Sequence, residues 1–414
     1  MRFATKWIWV FSLVFLASLV IDVSDPMASA SLTKTKLAPP IRLAVGTAHT
    51  CAIKANNKLS CWGANTSGQI GDGTVLSRRT RPVVIKSGAL QNRAVIAVTA
   101  GFAHTCALTD QGRVVCWGDN SQGQLGLDGD VTSRNVPTKA TRGALRGRVA
   151  VAIDAGANHT CAITARGGVI CWGANEYGQL GDGSLSNSFT PQFVNTGALT
   201  TGSVATISAG EHHTCVVKTN SSLVCWGANN FGQLGDGSVI GRLRPTSIGG
   251  GSLAGQLVAS VTAGGFHTCA VLNGGSLSCW GANEDGQLGN GTMETTTRPT
   301  QIANGALTNK QIISVNAGRY HTCAITLSYS LVCWGSNNFV QLGNAGIDDP
   351  SIPTVIRTGV LAGRQITEVG GGEWHSCARN SEGGIACWGA NFDGNNGDGT
   401  TIDHEVPVGV LAFP

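Results

Sequence analysis

The chain has 414 residues, of which 58 are glycines, and only 13% are charged. This length suits two or three domains or one large repetitive domain. The glycine content favours many short strands joined by tight turns. The formal net charge is only +4, and no basic run is longer than Arg78-Arg79. The sequence therefore predicts no surface patch for nucleic acid or anionic lipid.

The N-terminus has the order of a secretory signal peptide. Arg2 and Lys6 precede an apolar run over 7–21, and an Ala-Ser-Ala stretch follows at 28–30. This run is shorter than the about 20 residues that a membrane span needs, although an uncleaved anchor is the alternative. We predict a signal peptide over 1–30, a linker over 31–40 and no membrane span after cleavage. The mature protein would be secreted, periplasmic or on the cell surface.

After residue 40, one unit of about 54 residues recurs seven times. Each unit carries two cysteines ten residues apart, with His-Thr or His-Ser before the first and Trp-Gly after the second. A Gly-Gln-Leu-Gly or a near variant follows, and then a proline and a Gly-Ala-Leu or a relative of it. The cysteine pairs are Cys51 and Cys61, Cys106 and Cys116, Cys161 and Cys171, Cys215 and Cys225, Cys269 and Cys279, Cys323 and Cys333, and Cys377 and Cys387.

Within the second unit, the pattern predicts strands over 94–98, 104–108 and 114–118, and a fourth strand after Pro137. Seven such units predict an all-β fold over 41–414, a seven-bladed β-propeller with four-stranded antiparallel blades. An open solenoid of the same units is the alternative. The segment 41–46 matches the first strand of a unit, and 406–411 matches the last. We therefore predict that one blade combines strands from both termini.

The paired cysteines predict one disulfide per blade. A hairpin centred near Asn56 would place Cys51 opposite Cys61 on neighbouring strands. An even cysteine count in an exported chain also points to oxidation. The alternative is a metal site made of the recurrent His and the two Cys, but the sequence offers no fourth recurrent ligand. We predict no metal and no cofactor.

The seven recurrent histidines are too symmetric for an active site, which needs one asymmetric set of nucleophile, base and orienting group. We therefore predict that the protein is not an enzyme. Each His is expected to bond a turn inside its own blade, because buried imidazoles are normally paired. The seven Trp-Gly pairs are expected to pack the blades.

The unit AGFAHTCALTDQGRVVCWGDNSQGQLG over 100–126 resembles the repeat of the regulator of chromosome condensation family. The Gly-x-x-His-Thr, Trp-Gly-x-Asn and Gly-Gln-Leu-Gly elements occur in this order in most units. The resemblance implies a seven-bladed propeller. By analogy with the family's nuclear members, it also implies a guanine nucleotide exchange factor for a small GTPase. The paired cysteines and the predicted signal peptide depart from the family pattern and point to an exported variant.

Function is expected where the units differ, on loops that the scaffold holds in place. One such position is the residue pair before each recurrent His, and another is the pair after each Trp-Gly-x-Asn, where Tyr177, Phe231, Phe339 and Phe392 occur. The first position supplies the predicted partner-binding residues, namely Phe102, His212, Phe266, Arg319, Tyr320, Glu373 and Trp374. The alternative is that these rings cap the blade core.

These observations predict a secreted or cell-surface binding or scaffold propeller that recognises a protein or glycan through its rim, as a monomer and without binding nucleic acid. The exchange factor for a small GTPase is the alternative, but its substrate is cytosolic. An ultraviolet sensor like the plant photoreceptor branch is disfavoured, because only Trp374 occupies the pair before a recurrent His.

Overall fold

A computed structural model describes residues 42–128, 132–200, 203–346 and 350–413. The predicted signal peptide over 1–30 and linker over 31–40 lie outside the described residues. No helix within the described ranges is long and apolar enough to cross a membrane.

The described chain forms seven four-stranded antiparallel sheets, each built from four consecutive strands. The first three blades comprise β1–β4 (Leu43–Val45, His49–Ile53, Leu59–Ala64, Arg78–Val84), β5–β8 (Val95–Ala100, His104–Thr109, Val114–Asp119, Ser133–Lys139) and β9–β12 (Ala150–Ala155, His159–Thr164, Val169–Gly173, Ser188–Phe193). The fourth and fifth comprise β13–β16 (Val204–Ala209, His213–Lys218, Leu223–Gly227, Arg242–Ile248) and β17–β20 (Val258–Ala263, His267–Leu272, Leu277–Gly281, Thr296–Ile302). The sixth and seventh comprise β21–β24 (Ile312–Ala317, His321–Thr326, Leu331–Gly335, Thr354–Val355) and β25–β28 (Ile366–Gly371, His375–Asn380, Ile385–Gly389, His404–Gly409).

Short 3-10 turns join each blade to the next. They span Gly88–Leu90, Gly143–Leu145, Gly197–Leu199, Gly251–Leu253, Gly305–Leu307 and Gly359–Leu361. The leucine is buried in five of the six, so these turns fasten the connections to the blade core. The seven-bladed propeller predicted from the repeats is confirmed.

The disulfide prediction is also confirmed. The two cysteines of each unit face each other directly across the central hairpin, as Cys51 and Cys61 do between β2 and β3. All seven pairs lie at disulfide distance, and they account for all fourteen cysteines of the chain. A zinc site built on these sulfur atoms is therefore wrong.

The hydrophobic core lies between the blades. The disulfide of each blade packs against the tryptophan of the following blade, as Cys51 and Cys61 do against Trp117. The last interface repeats this arrangement, since Cys377 and Cys387 pack beside Trp62 of the first blade. Because both faces of the two central strands are covered, every residue of β2 and β3 is buried. Each sheet is therefore stabilised by packing against the neighbouring sheets.

Buried hydrogen bonds cross every interface at the same place. The histidine of one blade contacts the hydroxyl that follows the histidine of the next blade, with Nε2 to Oγ distances between 2.7 and 3.0 Å. The prediction that each histidine bonds within its own blade is wrong. The pairs are His49 with Thr105, His104 with Thr160, His159 with Thr214, His213 with Thr268, His267 with Thr322, His321 with Ser376 and His375 with Thr50.

The direction of these hydrogen bonds follows from counting protons. The Thr105 hydroxyl donates its only proton to the Gln69 carbonyl at 2.8 Å, so it must accept from His49. His49 is therefore the neutral Nε2–H tautomer, and its Nδ1 has no partner among the described atoms. Burial lowers the pKa of His49 to about 4 and that of His104 to about 3.

Tryptophan adds a second bond to the same carbonyl. Trp117 Nε1 donates to the Gln69 carbonyl at 2.8 Å, alongside the hydroxyl of Thr105. The other six repeat tryptophans donate in the same way to a carbonyl of the preceding blade, at 2.8–3.0 Å. The tryptophans thus pack the blades, as predicted, and also join them.

The ring closes without a shared blade. Blade one consists of β1–β4 and blade seven of β25–β28, so the prediction of one blade built from both termini is wrong. The first unit does carry its own inner strand, which is only three residues long. Closure instead uses the ordinary interface contacts of Thr50 and Trp62 with blade seven. Phe413 adds a packing contact, with its ring 6.0 Å from that of Trp62.

In six of the seven blades, including the second, the fourth strand contains the recurrent proline, which corrects the prediction that the strand follows Pro137. Pro137 lies within β8 (Ser133–Lys139), where the pairing with β7 is irregular. Because β8 is the outermost strand of its sheet, the missing N–H costs no ladder bond to a further strand.

We expect Thr160→Val to destabilise the ring more than an equivalent change outside the interface. The valine would leave His104 Nε2–H without an acceptor, at a cost of about 1–3 kcal/mol in the free energy of unfolding. Denaturant unfolding under non-reducing conditions measures this. Thr138→Val is the matched control, since its hydroxyl bonds only the Val136 carbonyl on an outer strand, and it should cost about 0.5 kcal/mol or less. Equal losses in the two variants would contradict the interface role.

Candidate functional site

The blades present two rims with different turns. The turns that join the first two strands of each blade, such as 46–48, lie at one end together with the start of the loop after the third strand. We call this end the upper rim. The turns that join the second and third strands, such as 54–58, lie at the other end with the connections between blades, and we call it the lower rim. Both pairs of divergent residues found in the sequence lie on the upper rim.

Aromatic side chains on the upper rim pair between neighbouring blades. The second residue after the Trp-Gly-x-Asn element of one blade packs against the residue before the recurrent His of the next blade. The pairs are Tyr177 with His212 (4.6 Å between ring centroids), Phe231 with Phe266 (5.4 Å) and Phe339 with Trp374 (4.8 Å). Phe266 also lies 6.0 Å from Tyr320, and Phe339 lies 6.0 Å from Phe392. These eight residues form the aromatic arc, which runs over blades three to seven.

An ionic network lies beside the arc at the mouth of the central cavity. Arg319 of blade six pairs with Glu373 of blade seven, and its Nε lies 3.0 Å from Oε2 of Glu211 in blade four. The arginine therefore reaches past blade five. Gly265 allows this, because a Cβ at that position would lie 2.8 Å from Cγ of Arg319. The Arg319 guanidinium also lies over the rings of Phe266 (5.8 Å) and Tyr320 (5.2 Å).

Burial and the neighbouring charges shift the pKa values of this network. Burial raises the pKa of Glu373, against the pull of the neighbouring Arg319. Burial alone would lower the pKa of Arg319, but the carboxylates of Glu211 and Glu373 outweigh it and raise that pKa above its ordinary value. Neighbouring rings thus cover the network and hold its charged groups partly out of water.

A small pocket opens within the arc between blades five, six and seven. Its lining combines the rings of Tyr320, Phe339 and Trp374 with the polar groups of Asp285, Ser336 and Asn338. Burial raises the pKa of Asp285, although a hydrogen bond from Ser336 opposes the shift. An aromatic wall with one carboxylate suits a cationic or hydrogen-bonding side chain of a partner.

The central cavity is lined by polar side chains that bond from blade to blade. Asp154 accepts from the Thr99 hydroxyl (2.8 Å) and from the Ala209 amide (2.8 Å). At the equivalent position, Ser208, Thr262 and Asn316 each accept from an amide of the next blade. Burial raises the pKa of Asp154 to about 6 despite these bonds. These groups serve the scaffold, and the described residues contain no cluster of three or more metal-ligating side chains.

The structure brings together six of the seven residues predicted to bind a partner. His212, Phe266, Tyr320 and Trp374 belong to the aromatic arc, and Arg319 and Glu373 form the network beside it. Phe102 is 50% exposed at the mouth of the central cavity and takes part in none of the described ring contacts. The predicted residues also differ in exposure, since Trp374 is 36% exposed whereas Glu373 is only 7% exposed.

The prediction of partner-binding residues missed two acidic residues of this surface. Glu211 precedes His212 in the same divergent pair, so its position was a usable signal. Asp285 stands where other units have Tyr177, Phe231 or Phe339, and only the fold shows that it faces Tyr320. The second divergent pair thus contributes as much of the surface as the first.

The repeat matches the family model described as the RCC1-like domain over residues 17–361. The chain belongs to the RCC1-like domain family. Its relatives include the ultraviolet-B receptor UVR8 of Arabidopsis thaliana, which is 30% identical over 389 residues that cover 93% of this chain and 84% of the receptor. The human E3 ubiquitin-protein ligase HERC2 is 29% identical over 86% of this chain, and this chain matches only 7% of that protein.

Solved structures share the fold of this RCC1-like propeller. Human WBSCR16 superposes with a TM-score of 0.75 at 21% identity, covering 86% of this chain and 94% of that chain. Prp20p of Saccharomyces cerevisiae, whose structure was described with its binding to Gsp1p and histones, gives a TM-score of 0.74 at 23% identity over 89% of this chain and 87% of that one. At these identities the likeness concerns the fold alone.

We expect Arg319→Met to destabilise the propeller by about 2 kcal/mol at pH 7, because it leaves Glu211 and Glu373 facing each other without their cation. The pKa of Glu373 should then rise further above its unfolded value, so the loss relative to wild type should shrink between pH 7 and pH 5 as the carboxylate protonates. Thermal unfolding at both pH values measures the difference.

The double variant Arg319→Met with Glu373→Gln provides the control. It should recover part of the lost stability, since one of the two facing charges is gone. A loss of stability that is independent of pH and is not relieved by the second change would show that Arg319 acts through packing alone.

Proposed function

We propose that this RCC1-like propeller is an exported binding module that recognises a protein partner through the aromatic arc and the Arg319 network. The observation that carries the proposal is the continuity of this surface. Side chains that differ from blade to blade meet on one rim, whereas the side chains common to all blades are buried between them.

The chemistry of the arc supports a protein partner with basic groups. Aromatic residues and arginine are enriched at the centres of protein interfaces. Acidic residues predominate over basic ones in the two divergent positions of blades three to seven, where six carboxylates accompany one guanidinium, that of Arg319. The carboxylates belong to Glu176, Glu211, Glu284, Asp285, Glu373 and Asp393. A lysine or arginine of the partner would fit the pocket beside Asp285.

The seven cysteine pairs support export. Disulfides persist in oxidising compartments and are rare in reducing ones. The signal peptide over 1–30 stays a prediction, as do the monomeric state and the absence of enzymatic activity. Guanine nucleotide exchange also stays a prediction, and no contact among the described residues of the upper rim favours it over partner recognition.

The experiment is photo-crosslinking. Purified, oxidised protein with a photo-reactive residue on one of the two rims is added to the extracellular fraction of its own cells. A crosslinking residue at Phe392, which is 50% exposed on the arc, should capture a protein partner, and one at Phe193 on the lower rim should not. Trp374→Ala with Phe392→Ala should weaken binding of the captured partner by at least about tenfold without lowering the melting temperature.

The matched control replaces exposed aromatic residues of the lower rim, with Phe193→Ala and Tyr329→Ala, and should leave partner binding unchanged. If the wild-type protein bound an oligosaccharide and the Trp374 and Phe392 changes abolished that binding, the partner would be a glycan and not a protein. Recovery of the protein from the cytosol with Met1 intact would contradict export and support the exchange-factor prediction.

A further inference from the structure

The lower rim gathers exposed cations that lie far apart in the sequence. Six exposed basic side chains come from the turns and connections of blades one to three, with only Asp110 as an acid in the same segments (54–58, 91–94, 109–113, 146–149 and 164–168). We call them the basic sector, and they are Lys58, Arg93, Arg113, Arg146, Arg148 and Arg166. The sequence prediction of no patch for anionic lipid considered only runs along the chain, whereas these cations come from five separate segments.

Backbone hydrogen bonds place these segments side by side. The amide of Val95 donates to Asn57 in the turn of blade one, and the amide of Asp110 in the turn of blade two donates to Ala94. In the same way the connection over 146–149 bonds to the turns of blades two and three, through Ala150 to Gly112 and Ala165 to Val149. The basic sector is therefore one surface and not six separate charges.

The lower rim of blade six carries a strained aromatic residue. Tyr329 has φ +59° in the turn between β22 and β23, a left-handed conformation that L side chains rarely adopt. Four of the six equivalent turns have glycine there, as at Gly112, and the other two have Asn57 and Ser221. Tyr329 is 41% exposed and its neighbour Leu327 is 57% exposed, so neither side chain is held there by core packing. Strain without local compensation points to a function of the exposed side chain.

Basic side chains flank this hydrophobic tip on both sides, and one of them, Arg364, is paired with Glu382. The amide of Leu327 bonds to Gln311, which follows the exposed Lys310, and the carbonyl of Tyr329 accepts from Ile366, two residues after Arg364. Leu257, 55% exposed, lies on the same rim beside the turn of blade five, through a bond from Asn273. Apolar tips and basic side chains thus share one end of the ring.

We propose that the lower rim docks on an anionic phospholipid bilayer, with the basic sector on the lipid phosphates and Leu327 and Tyr329 entering the interface. A rim with cations on one side and apolar tips on the other suits a planar anionic surface. A linear soluble polyanion would engage the basic sector but would leave the strained Tyr329 unexplained. Arginine binds phosphate through two parallel hydrogen bonds, and tyrosine is enriched at membrane interfaces. This docking goes beyond the proposed partner recognition, because it uses the opposite rim.

The first test is cosedimentation of the oxidised protein with vesicles of phosphatidylcholine alone or of an equimolar mixture with phosphatidylglycerol. Wild type should bind only the anionic vesicles, and added salt should weaken binding. Reversing Arg113, Arg148 and Arg166 to Glu should lower the partition coefficient by at least about tenfold. The matched control reverses Arg78, Arg81 and Arg134, which lie on outer strands, and should retain binding within about threefold.

The second test is Tyr329→Gly, which restores the residue type of four other blades. It should not lower the melting temperature, since it relieves the left-handed conformation, but it should weaken vesicle binding by about threefold or more. Equal binding to both vesicle types, or an equal loss in the outer-strand control, would overturn the proposal. Unchanged vesicle binding by Tyr329→Gly, combined with salt-sensitive binding of heparin or duplex DNA, would overturn it in favour of a soluble polyanion.

Discussion

The buried hydrogen bonds between blades are the constraint on which the rest of the structure depends. At each interface a histidine contacts a hydroxyl of the next blade. At six of the seven interfaces, that hydroxyl and a tryptophan of the same blade both donate back to one carbonyl, as at His49, Thr105, Trp117 and Gln69. No blade can satisfy these groups alone, and unpaired buried donors are costly. The disulfides fix the hairpins that carry the histidines, so each blade meets its neighbours with the same geometry. The ring closes for the same reason, because His375 and Thr50 complete the seventh interface.

This arrangement leaves the rims free to diverge. The divergent side chains of the turns lie outside the buried contacts between blades, and the two rims differ in chemistry. The upper rim carries stacked rings and carboxylates around Arg319, whereas the lower rim carries the basic sector and the tip at Tyr329. The small net charge of +4 hides this asymmetry. In a ring of short antiparallel strands, turns at opposite ends of the same blade can carry opposite chemistry within about 20 Å of each other.

The sequence predicted the number of blades and the pairing of Cys51 with Cys61, because a fixed period and a short hairpin are local properties. It did not predict the partner of any histidine. That partner lies in the next unit, 55 or 56 residues away for six of the seven histidines. The recurrence of Thr or Ser directly after each His was the available signal. Similarly, the divergent pairs identified Arg319 and Glu373. The reach of Arg319 to Glu211 depends on the missing side chain of Gly265, which only the assembled ring reveals.

The neutral histidines give the interfaces a dependence on pH. Their folded pKa values of about 3 to 4 lie below the unfolded value of about 6.5, so their contribution to stability is complete above pH 6.5 and declines as pH falls toward the folded values. Nitrogen-15 NMR of the imidazole rings tests the central claim most directly. We expect the seven repeat histidines of the folded protein to show the neutral Nε2–H tautomer at pH 7 and to keep it at pH 5. Protonation near pH 6.5 in the folded state, or an Nδ1–H tautomer, would contradict the account.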